Sequence, residues 1–284
     1  MRIPRPLSPL EVLFDPENGI DVPLPDELNV LYGRLRLPEA GPRPRVIANF
    51  VMSLDGVVSL GIPGTTDGDA ISGGDKHDSM VMGLLRSVAD AVIIGAGTLS
   101  HSPGHLWTPE YVFPALEGSY RDLRSRLGKQ RWPVCAVVTA RGELDPDLAV
   151  INEGNAALLI ITTPEGEKRL SRKKMPSHVQ VVTAGGGDRL SVREILDAVR
   201  QAIPGAETFL VEGGPRLIGQ FVDGGELDEL FLTLSPRLAG RDGHSERLGL
   251  ISGVRFLPER VVAGRLNGIR KSGSHLFLRY SFAP

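Results

Sequence analysis

The sequence predicts an α/β fold, a mixed, mostly parallel sheet flanked by helices and closed by a C-terminal antiparallel hairpin. Three observations predict it. From Arg45 onward, short apolar runs alternate with amphipathic stretches and are separated by glycine and proline, the pattern of a sheet covered by helices. The runs fall at 46–52, 91–94, 134–139, 157–162, 179–183, 208–211 and 229–235. At the end of the chain, 261–269 leads through Lys271-Ser272-Gly273-Ser274 into 276–282. There Leu276, Leu278, Tyr280 and Phe282 share one face by the two-residue period of a strand.

Residues 1–44 hold nine of the 22 prolines, which remove backbone donors and fix φ too often for regular structure. They predict a proline-rich arm wrapping a domain at 45–284, with one short helix near 26–35. Between the first two strands, Val81, Leu84, Leu85 and Val88 form a helical stripe, with Asp75 or Asp78 available near its start. A second helix carries Val192, Ile195, Leu196 and Val199 on one face after Ser191 as N-cap, and ends near Pro204-Gly205. A third opens with Pro215, buries Leu217, Ile218, Phe221 and Val222, and stops at Gly224-Gly225.

The chain has 284 residues, 41% of them apolar, and 32 Lys and Arg against 34 Asp and Glu, a formal charge of −2. This is a globular composition, and it offers no global attraction to nucleic acid or anionic lipid. No hydrophobic segment of signal or membrane length opens the chain, since Pro4 and Pro6 interrupt it. The lone cysteine, Cys135, excludes an internal disulfide framework and the usual thiolate zinc sites, so a cytoplasmic setting is expected. His101 and His105 are separated by Pro103 and Gly104, which deny them a shared helix face, and no metal is expected.

Candidate chemistry gathers where strands end in glycine. Gly95-Ala96-Gly97-Thr98 lets main-chain N–H groups approach a phosphate, or is a plain turn; Ser100 stands where a dinucleotide fingerprint needs its third glycine. Glu212-Gly213-Gly214-Pro215 sets a carboxylate at a strand end and two permissive residues before a helix N-terminus suited to a pyrophosphate. Thr139 and Arg141 follow a strand and offer a hydroxyl and a guanidinium to the 2′-phosphate that separates NADP from NAD, unless Arg141 is an ordinary loop residue. Asp55, in Ser53-Leu54-Asp55-Gly56, is a turn residue or an active carboxylate. Arg86 lies beside the apolar stripe of its helix, where a surface charge is the simplest reading.

In order and spacing, these segments resemble the reductase domain of the riboflavin-biosynthesis bifunctional deaminase-reductase, of dihydrofolate-reductase-like fold. The resemblance runs from Val46 to Gly243 through Ala48-Asn49-Phe50-Val51-Met52-Ser53-Leu54-Asp55-Gly56, Leu85-Arg86, Ala89-Asp90-Ala91 and Gly95-Ala96-Gly97-Thr98. It continues with Val211-Glu212-Gly213-Gly214-Pro215, Leu227-Asp228-Glu229-Leu230, Ser235-Pro236 and Gly240. It implies a homodimeric, NADPH-dependent reductase that converts the ribosyl group of a phosphoribosylaminopyrimidine to a ribityl chain. Gly95, Gly97, Thr98, Gly213 and Gly214 would hold the cofactor, with Thr139 and Arg141 near its 2′-phosphate. Asp55 and Glu212 would be catalytic, and Asn49, Ser53, Ser72 and Arg86 would bind substrate.

Two departures bear on the substrate. The family has a lysine where Asn49 stands, and a substrate-facing arginine in the stretch 99–114, which here contains no Arg or Lys. Both remove positive charge from the expected pocket. The alternatives are therefore a reductase of the same fold acting on a pterin or dihydrofolate, and a nucleotide-binding module without turnover. The deaminase's Pro-Cys-x-x-Cys zinc motif is absent from this sequence.

Overall fold

A computed structural model describes residues 7–39, 41–62, 67–153, 156–244 and 246–282. Strands are numbered in chain order: β1 Glu11–Phe14, β2 Ile20–Asp21, β3 Arg36–Leu37, β4 Arg45–Met52, β5 Val57–Ser59, β6 Ala91–Gly95 and β7 Val134–Thr139. They continue with β8 Leu158–Thr162, β9 Val179–Thr183, β10 Thr208–Val211, β11 Glu229–Leu234, β12 Leu248–Gly249, β13 Arg265–Ser272 and β14 His275–Ser281. Ten form one sheet in the order β1-β13-β14-β11-β4-β10-β6-β7-β8-β9. All neighbours from β11 to β9 are parallel, whereas β14, β13 and β1 add antiparallel strands at one edge. The seven expected runs are thus the seven parallel strands, with ends shifted by one residue at most.

Continuous apolar runs mark these strands because helices cover both faces of the parallel sheet. On one face, Leu84, Leu85, Tyr120 and Leu123 from helices Lys76–Val88 and Glu117–Arg126 pack with Val92 and Ile94. On the other, Ile195, Val199, Ile218 and Phe221 from helices Val192–Ala202 and Pro215–Asp223 pack with Ile93 and Val211. Of the two aspartates near the first helix, Asp75 is the cap and accepts from the N–H groups of His77 and Asp78. Ser191 and Glu194 cap the Val192–Ala202 helix reciprocally. Asp228 joins two strands from outside: its carboxylate accepts from Val46 N at 2.7 Å and takes both Arg43 Nη atoms at 2.9 and 2.7 Å.

The N-terminal arm is more regular than its prolines suggest. β1 pairs with β13, β2 with β3, and the helix Asp26–Tyr32 buries Leu28, Leu31 and Tyr32 in the same core as Leu84. The prolines sit between elements: Pro16 between β1 and β2, Pro38 after β3, and Pro25 at the N-cap, where no helical N–H is needed. Arg270 of β13 locks the arm down by donating to Tyr32 O and Arg34 O, pairing with Asp15 at 2.9 Å and stacking over the Tyr32 ring.

The hairpin begins at Arg265, four residues later than the pattern suggests, because 261–264 stay exposed and unpaired in the sheet. Its more deeply buried face carries Phe277 and Arg279, not the Leu276 to Phe282 series, since the arm covers that side. Arg279 reaches Glu229 of β11 through three contacts of 2.6 to 3.1 Å, and Glu229 is fully buried. Among the described residues, no helix is long and apolar enough to cross a membrane.

Removing one partner of a buried pair strands the other charge at a cost of about 3–5 kcal/mol, whereas apolar replacement of both is close to neutral. Arg279→Met should therefore lower stability in urea denaturation by about that amount, and adding Glu229→Leu should restore most of it. Equal loss in the single and double variants would show that the pair is not what holds this edge.

Candidate active site

The parallel strands end along one side of the sheet, where crevices in open α/β sheets take ligands. A cleft of about 140 Å³ opens there between Asn49, Phe50 and Val51 of β4, the Lys76–Val88 helix, and Glu212 after β10. Ser59, Asp67, Asp78, Met82, His101, Ser102, His105 and Trp107 complete it. A wider cleft of about 580 Å³ adjoins it, sharing Ser59, Thr98, His101, Gly214 and Pro215, and adds Gly95, Gly97, Val138, Ala140, Arg189, Leu190, Arg216 and Leu217. We treat the two as the narrow and wide limbs of one trough.

Arg86 organises the narrow limb. The helix stripe puts it on the core side, 1% exposed, so the surface-charge reading is corrected: the loop 105–108 folds over it and supplies acceptors. Its five donors are all engaged, by four acceptor atoms. Nε and Nη2 reach Glu212 Oε2 at 2.9 and 2.8 Å, Nη1 donates to Leu106 O and Thr108 O, and Nη2 donates to His105 Nε2 at 3.0 Å. Because Arg86 can only donate, His105 Nε2 carries no proton and the imidazole is the Nδ1–H tautomer. Burial, with Arg86 beside it, keeps that ring neutral well below the usual histidine range, and Trp107 and Tyr111 flank it with centroids at 4.7 Å.

Holding Glu212 by one oxygen leaves Oε1 buried without a hydrogen-bond partner, and Asp67 Oδ1 is left the same way while Oδ2 accepts from Ser59. Asp78 is the third carboxyl group of the limb. Burial pushes it up to about 7, Asp75, Asp69 and Glu212 add to the rise, and the Thr233 hydroxyl opposes it. A carboxyl that still carries a proton near neutrality thus sits beside two carboxylates with open acceptor positions. Asp67, Asp78 and His105 were not singled out for the site by the sequence. Asp78 has the spacing of a capping residue, and Asp67 lies in a polar turn like any other.

Of the residues expected to touch substrate, Asn49, Arg86 and Glu212 are brought together in the narrow limb. Asp55, Ser53 and Ser72 do not line it. The Asp55 carboxylate is held well below the usual range by the Ser53 hydroxyl at 2.6 Å, and by the N–H groups of Ala239 and Gly240. It ties the turn after β4 to the 239–240 loop, and Ser53 completes that turn through Val57. Ser72 ends the Asp67–Ser72 helix, and its carbonyl accepts from His275.

Of the expected cofactor residues, Gly95, Gly97, Thr98 and Gly214 line the wide limb. A Cβ on Gly95 or Gly97 would meet no atom within 4 Å, so both glycines leave a cradle that a side chain would fill. Gly213 serves a different end, because a Cβ there would collide with the backbone of Ile94 and Gly95; its smallness lets the β10 loop close on the end of β6. Thr139 and Arg141 do not line the trough. Thr139 Oγ1 accepts from Gly142 N, and Arg141, with its side chain 78% exposed, pairs with Glu143. Among the described residues, no group of three or more His, Cys, Asp or Glu is placed to hold a metal ion.

Fold and cleft together define a mixed α/β domain, a large mostly parallel sheet flanked by helices, with a trough at its parallel strand ends. The chain belongs to the RibD C-terminal domain family, which it matches over residues 44–276. It is 25% identical over 210 residues to the riboflavin biosynthesis protein RibD of Aquifex aeolicus, covering 74% of this chain and 51% of that protein. The chain therefore spans about half of that relative. It is also 24% identical over 198 residues to the 2,5-diamino-6-ribosylamino-4(3H)-pyrimidinone 5′-phosphate reductase of Methanothermobacter thermautotrophicus, covering 70% of this chain and 80% of the relative. Among solved structures, a pyrimidine reductase-like protein of Corynebacterium diphtheriae shares the fold with a TM-score of 0.66 at 20% identity, over 90% of this chain and 98% of its own. A deaminase/reductase of Thermotoga maritima does so with 0.62 at 23%, over 85% and 57%.

The Asp78 environment gives a stability signature. Its folded pKa lies above the ordinary carboxyl value, so the folded protein holds a proton that the unfolded chain has released. Stability should fall as the pH rises from about 4 to about 7, by up to about 1.4 kcal/mol per unit, and level off above. Asp78→Asn cannot titrate, and in urea denaturation at pH 5 and 8 it should lose this dependence relative to wild type. Parallel pH profiles for the two proteins would show that Asp78 is not protonated in the fold.

Proposed function

We propose that the protein is an NADPH-dependent oxidoreductase that reduces a phosphoribosylaminopyrimidine, converting its ribosyl carbon to the ribityl level. Family membership supports the reductase class, and the relatives' names supply the substrate. The observation that carries the reading is the pair of unpartnered carboxylate oxygens, Glu212 Oε1 and Asp67 Oδ1, lining a cleft that opens into a glycine cradle. Buried acceptors without donors call for a ligand rich in N–H groups, as an aminopyrimidine is.

The residues of the wide limb fit a dinucleotide. Gly95, Gly97 and Gly214 let a phosphate chain approach the backbone, and the Pro215–Asp223 helix directs its N-terminus toward it. The bound nicotinamide supplies a hydride. The chain's own part is to hold the acceptor carbon against that ring and to manage the proton. Glu212, fixed by Arg86, accepts an N–H of the pyrimidine. Asp78 keeps a proton up to about pH 7 and is the group suited to protonate the nitrogen of the open-chain imine. The same reading carries a cytoplasmic homodimer, whose dimeric mass light scattering on the purified protein measures.

One observation favours a second substrate. Among the described residues, the only Arg or Lys lining the narrow limb is Arg86, and all its donors are committed. A pterin or dihydrofolate needs the carboxylates and no phosphate partner, so the same trough accommodates it.

The test is NADPH oxidation at 340 nm with the phosphoribosylaminopyrimidine and dihydrofolate in parallel, for wild type and Glu212→Gln. Turnover of the pyrimidine, with Glu212→Gln slowed about a hundredfold and its NADPH affinity kept, is the expected result. Turnover of dihydrofolate alone would move the assignment to the second substrate. NADPH binding without oxidation of either would leave a nucleotide-binding module.

A further inference from the structure

The wide limb ends beneath the segment that follows β9, where Ala184, Gly185, Gly186 and Gly187 lead to Arg189 and Leu190. From the end of β10, which Glu212 follows, to the end of β9 is four strand positions, roughly 19 Å across the sheet. A dinucleotide with its reactive ring near Glu212 and Thr98 thus has its adenosine toward Arg189. The far end of the limb is the place where NADPH and NADH differ.

Among the described residues, Arg189 and Arg216 line this limb, and their partners distinguish them from each other and from Arg141. Arg141 is outside the trough and pairs with Glu143. Arg216 lines the limb but is tied to Glu246 at 2.7 Å, a carboxylate that also lines it and repels a phosphate. Arg189 lines the limb and, among the described residues, makes no ion pair. Glu194, packed where a Cβ of Gly185 (φ +68°) would stand, is turned to its own helix cap, its Oε2 accepting from the N–H and hydroxyl of Ser191.

We infer that Arg189 takes the 2′-phosphate of the adenosine ribose and sets the preference for NADPH over NADH. An uncommitted guanidinium at the mouth of the limb gives a phosphate two parallel, charge-assisted hydrogen bonds. NADH has only a hydroxyl there, so Arg189 is a specificity residue and not a general affinity residue. The inference rests on the wide limb being the cofactor site.

The experiment is calorimetric titration of NADPH and NADH into wild type, Arg189→Ala and Arg141→Ala, with circular dichroism to confirm the fold. Arg189→Ala should weaken NADPH about tenfold to a hundredfold and leave NADH within about twofold, while Arg141→Ala changes neither. Adenosine 2′,5′-bisphosphate should lose affinity for Arg189→Ala as NADPH does. Equal loss of both dinucleotides, no loss of either, or a selective loss confined to Arg141→Ala overturns the inference and leaves the cofactor site standing. Wild type that binds neither dinucleotide overturns both together.

Discussion

The buried pair between Arg86 and Glu212 is the interaction on which the site depends. It joins the helix on one face of the sheet to the loop after β10, and through Leu106, Thr108 and His105 it also holds the loop 105–108 in place. Burying a guanidinium and a carboxylate is unfavourable unless each finds partners. Arg86 finds all of its own inside the protein, whereas Glu212 keeps one oxygen open. That asymmetry is what a binding site requires. The cation is spent on geometry, and the anion is left for a ligand.

The glycines around the pair act by different physics. Gly213 closes the β10 loop against β6, which brings Glu212 and the glycine cradle to the same edge of the sheet. Gly95 and Gly97 leave room for something that is not protein. Asp55 belongs to a third arrangement, in which a turn and a distant loop are pinned by a half-buried carboxylate with satisfied acceptors. Its motif marks the loop that borders the site without entering it.

How much was legible in the sequence follows from these roles. The strands and the main helices were readable because burial on two faces writes unbroken apolar runs and three-to-four spacing into the chain. Gly95, Gly97, Thr98, Gly214 and Glu212 could be placed at strand ends, and the structure gathers them. Arg86 was misread because a charge beside an apolar stripe looks solvated until the covering loop 105–108 is known. Asp78 was hidden for a related reason: one residue in a run of polar helix-start positions, it holds its proton because the fold buries it, with three other carboxyl groups adding to the rise. Arg141 has the right spacing after its strand, but the chain turns it outward to Glu143. The arm's regularity was obscured because prolines between elements read the same as prolines within them.

The central claim is that one trough across the parallel strand ends holds the dinucleotide in its wide limb and the reacting group beside Glu212 and Asp78. A crystal structure of the protein with NADPH tests it most directly. The account predicts the pyrophosphate against Gly95, Gly97 and Gly214, with the nicotinamide at the junction near Thr98 and Pro215, facing Glu212. Density for the dinucleotide at the opposite end of the sheet, in the groove between Arg43 and Arg200, would contradict it.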